Sequence, residues 1–99
     1  MPRGSPRLRT AEGKINQIGA RVRERRQELE LKQDELCARI AAETEGAWNP
    51  AWQDLSRIEN GSRIVSDLEV LALAHALERS ACWLLTGEVV PEASSITQS

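Results

Sequence analysis

Start and stop signals for helices recur so closely along residues 14–87 that only short helices fit between them. This spacing constrains the fold more than any other feature of the chain. Ser66 and Glu69 form an S-x-x-E pattern, in which each side chain bonds the other residue's backbone N–H at a helix start. Val70, Leu73, Ala74 and Leu77 follow at helical offsets behind it. Ser80 is placed to cap a short helix over residues 81–86, and Gly87 to end it. Upstream, Ile15, Ile18, Val22 and Leu29 share one helical face, which predicts a first helix from Lys14 to about Leu29. A second helix starts near Lys32 or Gln33, with Asp34 and Glu35 at its positive dipole end, although Lys32 offers no capping oxygen. Leu36, Cys37 and Ile40 give it an apolar face, and Gly46 is a stop. Asn49-Pro50 predicts a restart, with Asn as cap and Pro in the first turn, and hence a third helix over roughly 50–60 closed by Gly61. Leu55 and Ile58 point inward from it. Five short helices, no strand and no repeat make a compact all-α domain.

The flanks differ from this interior. Residues 1–13 hold Pro2, Gly4, Ser5, Pro6 and Gly13 with three arginines, and are expected to form a flexible basic arm. Residues 89–99 are expected to be a polar tail, leaving 14–88 as the folded domain. Few apolar residues are β-branched, and Ala, Leu, Glu and Arg dominate, which also favours helix.

The net charge of −2 conceals an asymmetry. Residues 1–32 carry nine basic and four acidic side chains, whereas 33–99 carry four basic and eleven acidic ones. A localised positive face is therefore expected on an acidic chain. Cys37 and Cys82 form no C-x-x-C pair and are expected to be reduced core thiols of a cytoplasmic protein. One histidine and two cysteines do not make a zinc site, so neither metal nor cofactor is expected. His75, opposite Leu73 and Leu77, is expected at the surface. No apolar run is long enough to cross a bilayer, residues 1–10 lack a signal-peptide core, and no nucleophile-elbow, Walker or H-E-x-x-H motif is present. Neither a membrane protein nor an enzyme is expected.

Gln33-Asp34-Glu35-Leu36, Leu55-Ser56-Arg57-Ile58-Glu59-Asn60-Gly61, Ser66-Asp67-Leu68-Glu69, Leu73-Ala74-His75-Ala76-Leu77 and Trp83-Leu84-Leu85-Thr86-Gly87 occur in that order. In order and spacing they resemble the helix-turn-helix domain of lambdoid phage repressors and Xre-type bacterial regulators, over roughly Ile15 to Gly87. The resemblance implies a five-helix lambda-repressor-like bundle that binds double-stranded DNA, usually as a homodimer, with its third helix in the major groove. It places Trp52, Gln53 and Arg57 at base-contacting positions. Gln suits an adenine edge and Arg a guanine edge. It also places Gln33 and Asn60 at phosphate contacts, and it makes Arg26 and Glu59 a buried structural ion pair. Arg63, following in the loop, is expected to add a charged phosphate contact.

Two features depart from the pattern. The turn between the second and third helices is lengthened by an insertion holding Glu43, Glu45 and Trp48. Trp52 stands where the family has a small or polar residue; it is expected to fold back beside Trp48, with packing on a thymine methyl as the alternative. Trp83, Leu84 and Val89-Val90 are the expected dimer contacts. The chain ends soon after the fifth helix, so no effector or catalytic domain is expected. The implied function is a sequence-specific DNA-binding transcriptional regulator, a repressor. The rivals are an antitoxin that also grips a toxin, and a protein-interaction module that keeps the fold; the acidity and the inserted glutamates favour the latter.

Overall fold

The computed structural model describes residues 8–89. It contains α1 (Gly19–Glu28), α2 (Gln33–Glu43), α3 (Trp52–Glu59), α4 (Asp67–Leu77) and α5 (Ala81–Thr86), with no strand among the described residues. The chain is a small all-α bundle, as its punctuation predicts. Residues 1–7 of the expected arm and 90–99 of the expected tail lie outside the described residues.

α4 is the apolar centre. Val70, Ala72, Leu73, Ala74, Ala76 and Leu77 are all buried, and the three alanines among them leave room for close packing from more than one side. α1, α2 and α5 pack against it, while α3 packs on α1 and α2 through the fully buried Leu55 and Ile58. The core is completed by Ile18, Val22, Leu36, Cys37, Ile40, Trp83 and Leu84. Burial pushes the Cys37 thiol above its ordinary pKa, which keeps it an unreactive core group. Cys82, expected in the core, is instead exposed on α5. Trp83 and Leu84, expected at a dimer interface, are spent on the core, because the six-residue α5 has no other apolar face to dock with.

Helix ends follow local chemistry. The Ser66–Glu69 capping box is formed in both directions, Ser80 Oγ accepts the Trp83 N–H at 3.0 Å, and Gly87 ends α5 at φ +82°. At α2 the Lys32 N–H donates to Glu35 Oε1 at 2.7 Å, which ties the helix start from the third residue although the Lys32 side chain caps nothing.

Two starts differ from expectation. α3 begins at Trp52 rather than Pro50, and Asn49 does not cap it; the Ala51 N–H donates to Asp54 Oδ2 at 3.3 Å instead. The cause lies in the loop before it. The Thr44 hydroxyl bonds the Ile40 and Trp48 carbonyls and accepts the Trp48 N–H, Glu45 and Gly46 turn the chain at positive φ, and Trp48 packs on the core. The chain is still extended on leaving this loop, so its helix starts later.

α1 begins at Gly19 rather than Lys14 because the preceding residues are tied to α3. Thr10–Lys14 closes a hydrogen-bonded turn, the Ile15 N–H donates to the Gly61 carbonyl at 2.9 Å, and Lys14 Nζ donates to the Asn60 carbonyl at 2.9 Å. Asn16 then staples the junction. Its Oδ1 accepts the Ile18 and Gly19 N–H groups, and its Nδ2 donates to the Ile58 and Arg63 carbonyls. Gly19 is required by this approach, since a Cβ there would meet the Ile58 carbonyl oxygen and lie 2.7 Å from that of Glu59. Gly19→Ala must push α1 off α3, and overpacking of this kind costs about 1–3 kcal/mol. Thermal unfolding should show a midpoint lowered by roughly 4–8 °C per kcal/mol; an unchanged midpoint would mean that the two helix ends are not held together.

Candidate nucleic-acid interface

One ion pair sets the pose of α3. Arg26, near the end of α1, grips the last residue of α3 in a bidentate contact, Nε to Glu59 Oε2 at 2.7 Å and Nη2 to Oε1 at 3.0 Å. The side chains are only 12% and 5% exposed. Gln33 Nε2, at the start of α2, also donates to Glu59 Oε1, and Arg26 Nη1 donates to the Leu31 carbonyl. The hydrogen bond to Glu59 holds the Arg26 pKa above its ordinary value against the opposing effect of burial. Three helices thus meet on one carboxylate, and the expected pair is present.

With its inner face so fixed, α3 turns Trp52, Gln53 and Arg57 outward. Trp52 does not fold back on Trp48: it is 53% exposed, whereas Trp48 packs on the core with the Arg63 guanidinium over its ring. The insertion is closed by its own backbone turn and by Thr44 and Trp48, with no contact from Trp52. The Arg57 guanidinium bonds Asp54 Oδ1 at 2.6 Å, one helical turn back.

Beside α3, a concave site of ≈ 320 Å³ is lined by Arg23, Arg26, Gln33, Ser56, Glu59 and Asn60. Its acceptors are satisfied, because both Glu59 oxygens are engaged by Arg26 and Gln33. Asn60 Oδ1 accepts from the Ser62 N–H and hydroxyl, which turns the Asn60 amide nitrogen the other way. Gln33 retains a second amide N–H, since only one is given to Glu59. Arg23 is exposed and makes no hydrogen bond or ion pair among the described residues. With Arg26 balanced by Glu59, the site carries one net positive charge and a surplus of donors, the chemistry of an anion seat.

Arg63 belongs elsewhere. Its guanidinium is bidentate to Glu69 at 3.0 and 3.2 Å, so the charged contact expected from it is engaged in the domain's own packing. Among the described residues the basic first third is likewise largely engaged in hydrogen bonds within the fold. Arg21 donates to the Leu84 and Leu85 carbonyls at the end of α5, and Arg25 to the Leu77 carbonyl at the end of α4. Both cations sit where helix dipoles favour them. Near α3 the cations without a carboxylate partner among the described residues are Lys14, Arg23 and Lys32, while Arg57 is paired with Asp54.

The sequence reading missed Asn16, Arg23, Asp54 and Ser56. Only Asp54 carried a local signal, its i, i+3 spacing to Arg57. His75 is exposed, as expected. Among the described residues no cluster of three or more metal-ligating side chains occurs, and no helix is long and apolar enough to cross a membrane. Compared with known proteins, the chain matches no protein-family model and no curated protein sequence.

The Arg63–Glu69 pair has a pH signature. Hydrogen bonding from Arg63 holds the Glu69 pKa below its ordinary 4.5. A carboxylate depressed on folding contributes stability that is complete above its unfolded pKa and is lost as pH falls through the folded one. Glu69→Gln keeps an acceptor for the Ser66 N–H but cannot titrate. Its thermal midpoint should lie below wild type at pH 6 and converge toward it by about pH 3, the window below the glutamate reference value. A deficit independent of pH would show that the pair contributes nothing through its charge.

Proposed function

We propose that the chain is a sequence-specific DNA-binding regulator, of the kind its resemblance to Xre-type and lambdoid phage repressors implies, with α3 as the element that enters the major groove. The observation that carries this reading is the division of labour on α3. Its inner face is fixed by Leu55, Ile58 and the Arg26–Glu59 contact, and its outer face offers Gln53 and Arg57 beside a donor-rich anion seat. A helix that reads base edges needs such rigid docking on one side and hydrogen-bonding side chains on the other. Gln53 suits adenine and Arg57 guanine, while Gln33 and Asn60 bind backbone phosphate with Arg23 as the local cation in place of Arg63. Repression by occupancy of an operator, as a homodimer in the cytoplasm, follows the same reading. With Trp83 and Leu84 internal, the exposed Leu85 and Val89 are what remains, among the described residues, of the dimer contact expected around the last helix.

One observation favours a second reading, in which the domain grips a partner protein as an antitoxin-type module. Ile64, Leu68 and Leu71 are exposed at 53%, 74% and 48%, apolar groups at the start of α4 that the core does not use.

Titration of duplex DNA at several salt concentrations separates the two. Under the regulator reading, affinity falls linearly with salt on a log–log scale, with a slope of about −0.9 per neutralised phosphate. Arg23→Gln should weaken all sequences alike and reduce that slope by about one unit. Gln53→Ala should cost ~1–3 kcal/mol on the preferred site only. Absence of duplex binding at low salt would favour the partner-protein reading.

A further inference from the structure

Asp54 is the one acid of α3 besides Glu59; it is 34% exposed and lies one turn before Arg57 on the helix proposed above to enter the major groove of polyanionic DNA, where a carboxylate is unfavourable unless it has a task. Both its oxygens are committed. Oδ2 accepts the Ala51 N–H at 3.3 Å in the first turn of α3, and Oδ1 accepts from Arg57 Nη2 at 2.6 Å. The first contact fixes the carboxylate against the helix start, and the second therefore fixes the guanidinium. An isolated exposed ion pair contributes little to stability. Its effect on direction is another matter, because an unrestrained arginine on a helix samples many rotamers and reaches phosphate as readily as a base. A guanidinium carries five N–H donors in a planar fork. Asp54 uses one of them and leaves the others available for the paired O6 and N7 acceptors of guanine.

We propose that Asp54 is a positioning residue for Arg57: it holds the guanidinium in one orientation and so restricts one position of the bound DNA site to guanine. The proposal rests on the regulator reading and adds to it the residue that sets selectivity. The carboxylate contributes in two ways. It makes bidentate pairing with guanine cheaper in side-chain entropy, and its charge repels the phosphate that would otherwise capture Arg57.

The test is selection of a randomised duplex library by wild type, Asp54→Asn, Asp54→Ala and Arg57→Ala, with sequencing of the retained DNA. Asp54→Asn keeps an oxygen for the Ala51 N–H, so the start of α3 is preserved while the charge is removed. Wild type should enrich guanine at one position, and Arg57→Ala should abolish that enrichment. Both Asp54 variants should lower it about three- to tenfold, a part of the discrimination that a bidentate contact supplies. Their affinity for unselected duplex should rise, because a negative charge beside Arg57 is gone from a surface that meets a polyanion. A purely structural role would lower the thermal midpoint and leave base preference alone. Undiminished guanine enrichment in both Asp54 variants would overturn the proposal while leaving the regulator reading intact. Guanine enrichment that survives Arg57→Ala would do the same. A wild-type protein that enriches no sequence would overturn the regulator reading and this proposal with it.

Discussion

The carboxylate of Glu59 is the point on which the arrangement of the first three helices depends. It is nearly buried, and a buried charge is tolerated only when its lone pairs are satisfied. Arg26 from α1 and Gln33 from α2 satisfy them together. Stranding either charge by removing its partner costs ~3–5 kcal/mol, a large share of what a domain of this size has in reserve. The same contact has a geometric consequence. Tied at its last residue and packed through Leu55 and Ile58, α3 has little freedom to rotate, and what its outer face presents is settled by its docking.

A second set of contacts reinforces the first at the same end of α3. Asn16 joins the start of α1 to the end of α3, Gly19 permits the close approach, and Lys14 and Ile15 bond the carbonyls of Asn60 and Gly61. Arginines that looked like a positive field are mostly fasteners: Arg21 and Arg25 close helix ends, Arg26 holds Glu59, and Arg63 holds Glu69. Net charge along the sequence was therefore a poor guide to the field at the surface. Packing decides which charges remain free, and beside α3 those are few.

How far the sequence was legible depends on the range of the interaction. The Ser66–Glu69 box, the Ser80 cap and the Gly87 stop are local, and each lies where its pattern put it. The inward positions of α2, α3 and α4 follow from helical spacing for the same reason. The starts of α1 and α3 were misplaced because Asn16, Thr44 and Trp48 act through contacts that periodicity does not encode. Pairing of Arg26 with Glu59, 33 positions away, was anticipated only through resemblance. Arg63, expected from its place in the loop to add a charged phosphate contact, is engaged instead by the nearer carboxylate of Glu69. Trp52 was assigned to an insertion that its own backbone turn, Thr44 and Trp48 close.

The central claim is that the outer face of α3, with the anion seat beside it, is the surface that meets DNA. The most direct measurement is an amide and side-chain chemical-shift map of the protein titrated with random-sequence duplex at low salt. The account predicts that shifts concentrate at Trp52, Gln53 and Arg57, including the Trp52 indole N–H, and at Arg23, Gln33 and Asn60 around the seat. Shifts confined to Ile64, Leu68 and Leu71, or a spectrum unchanged by DNA, would contradict it.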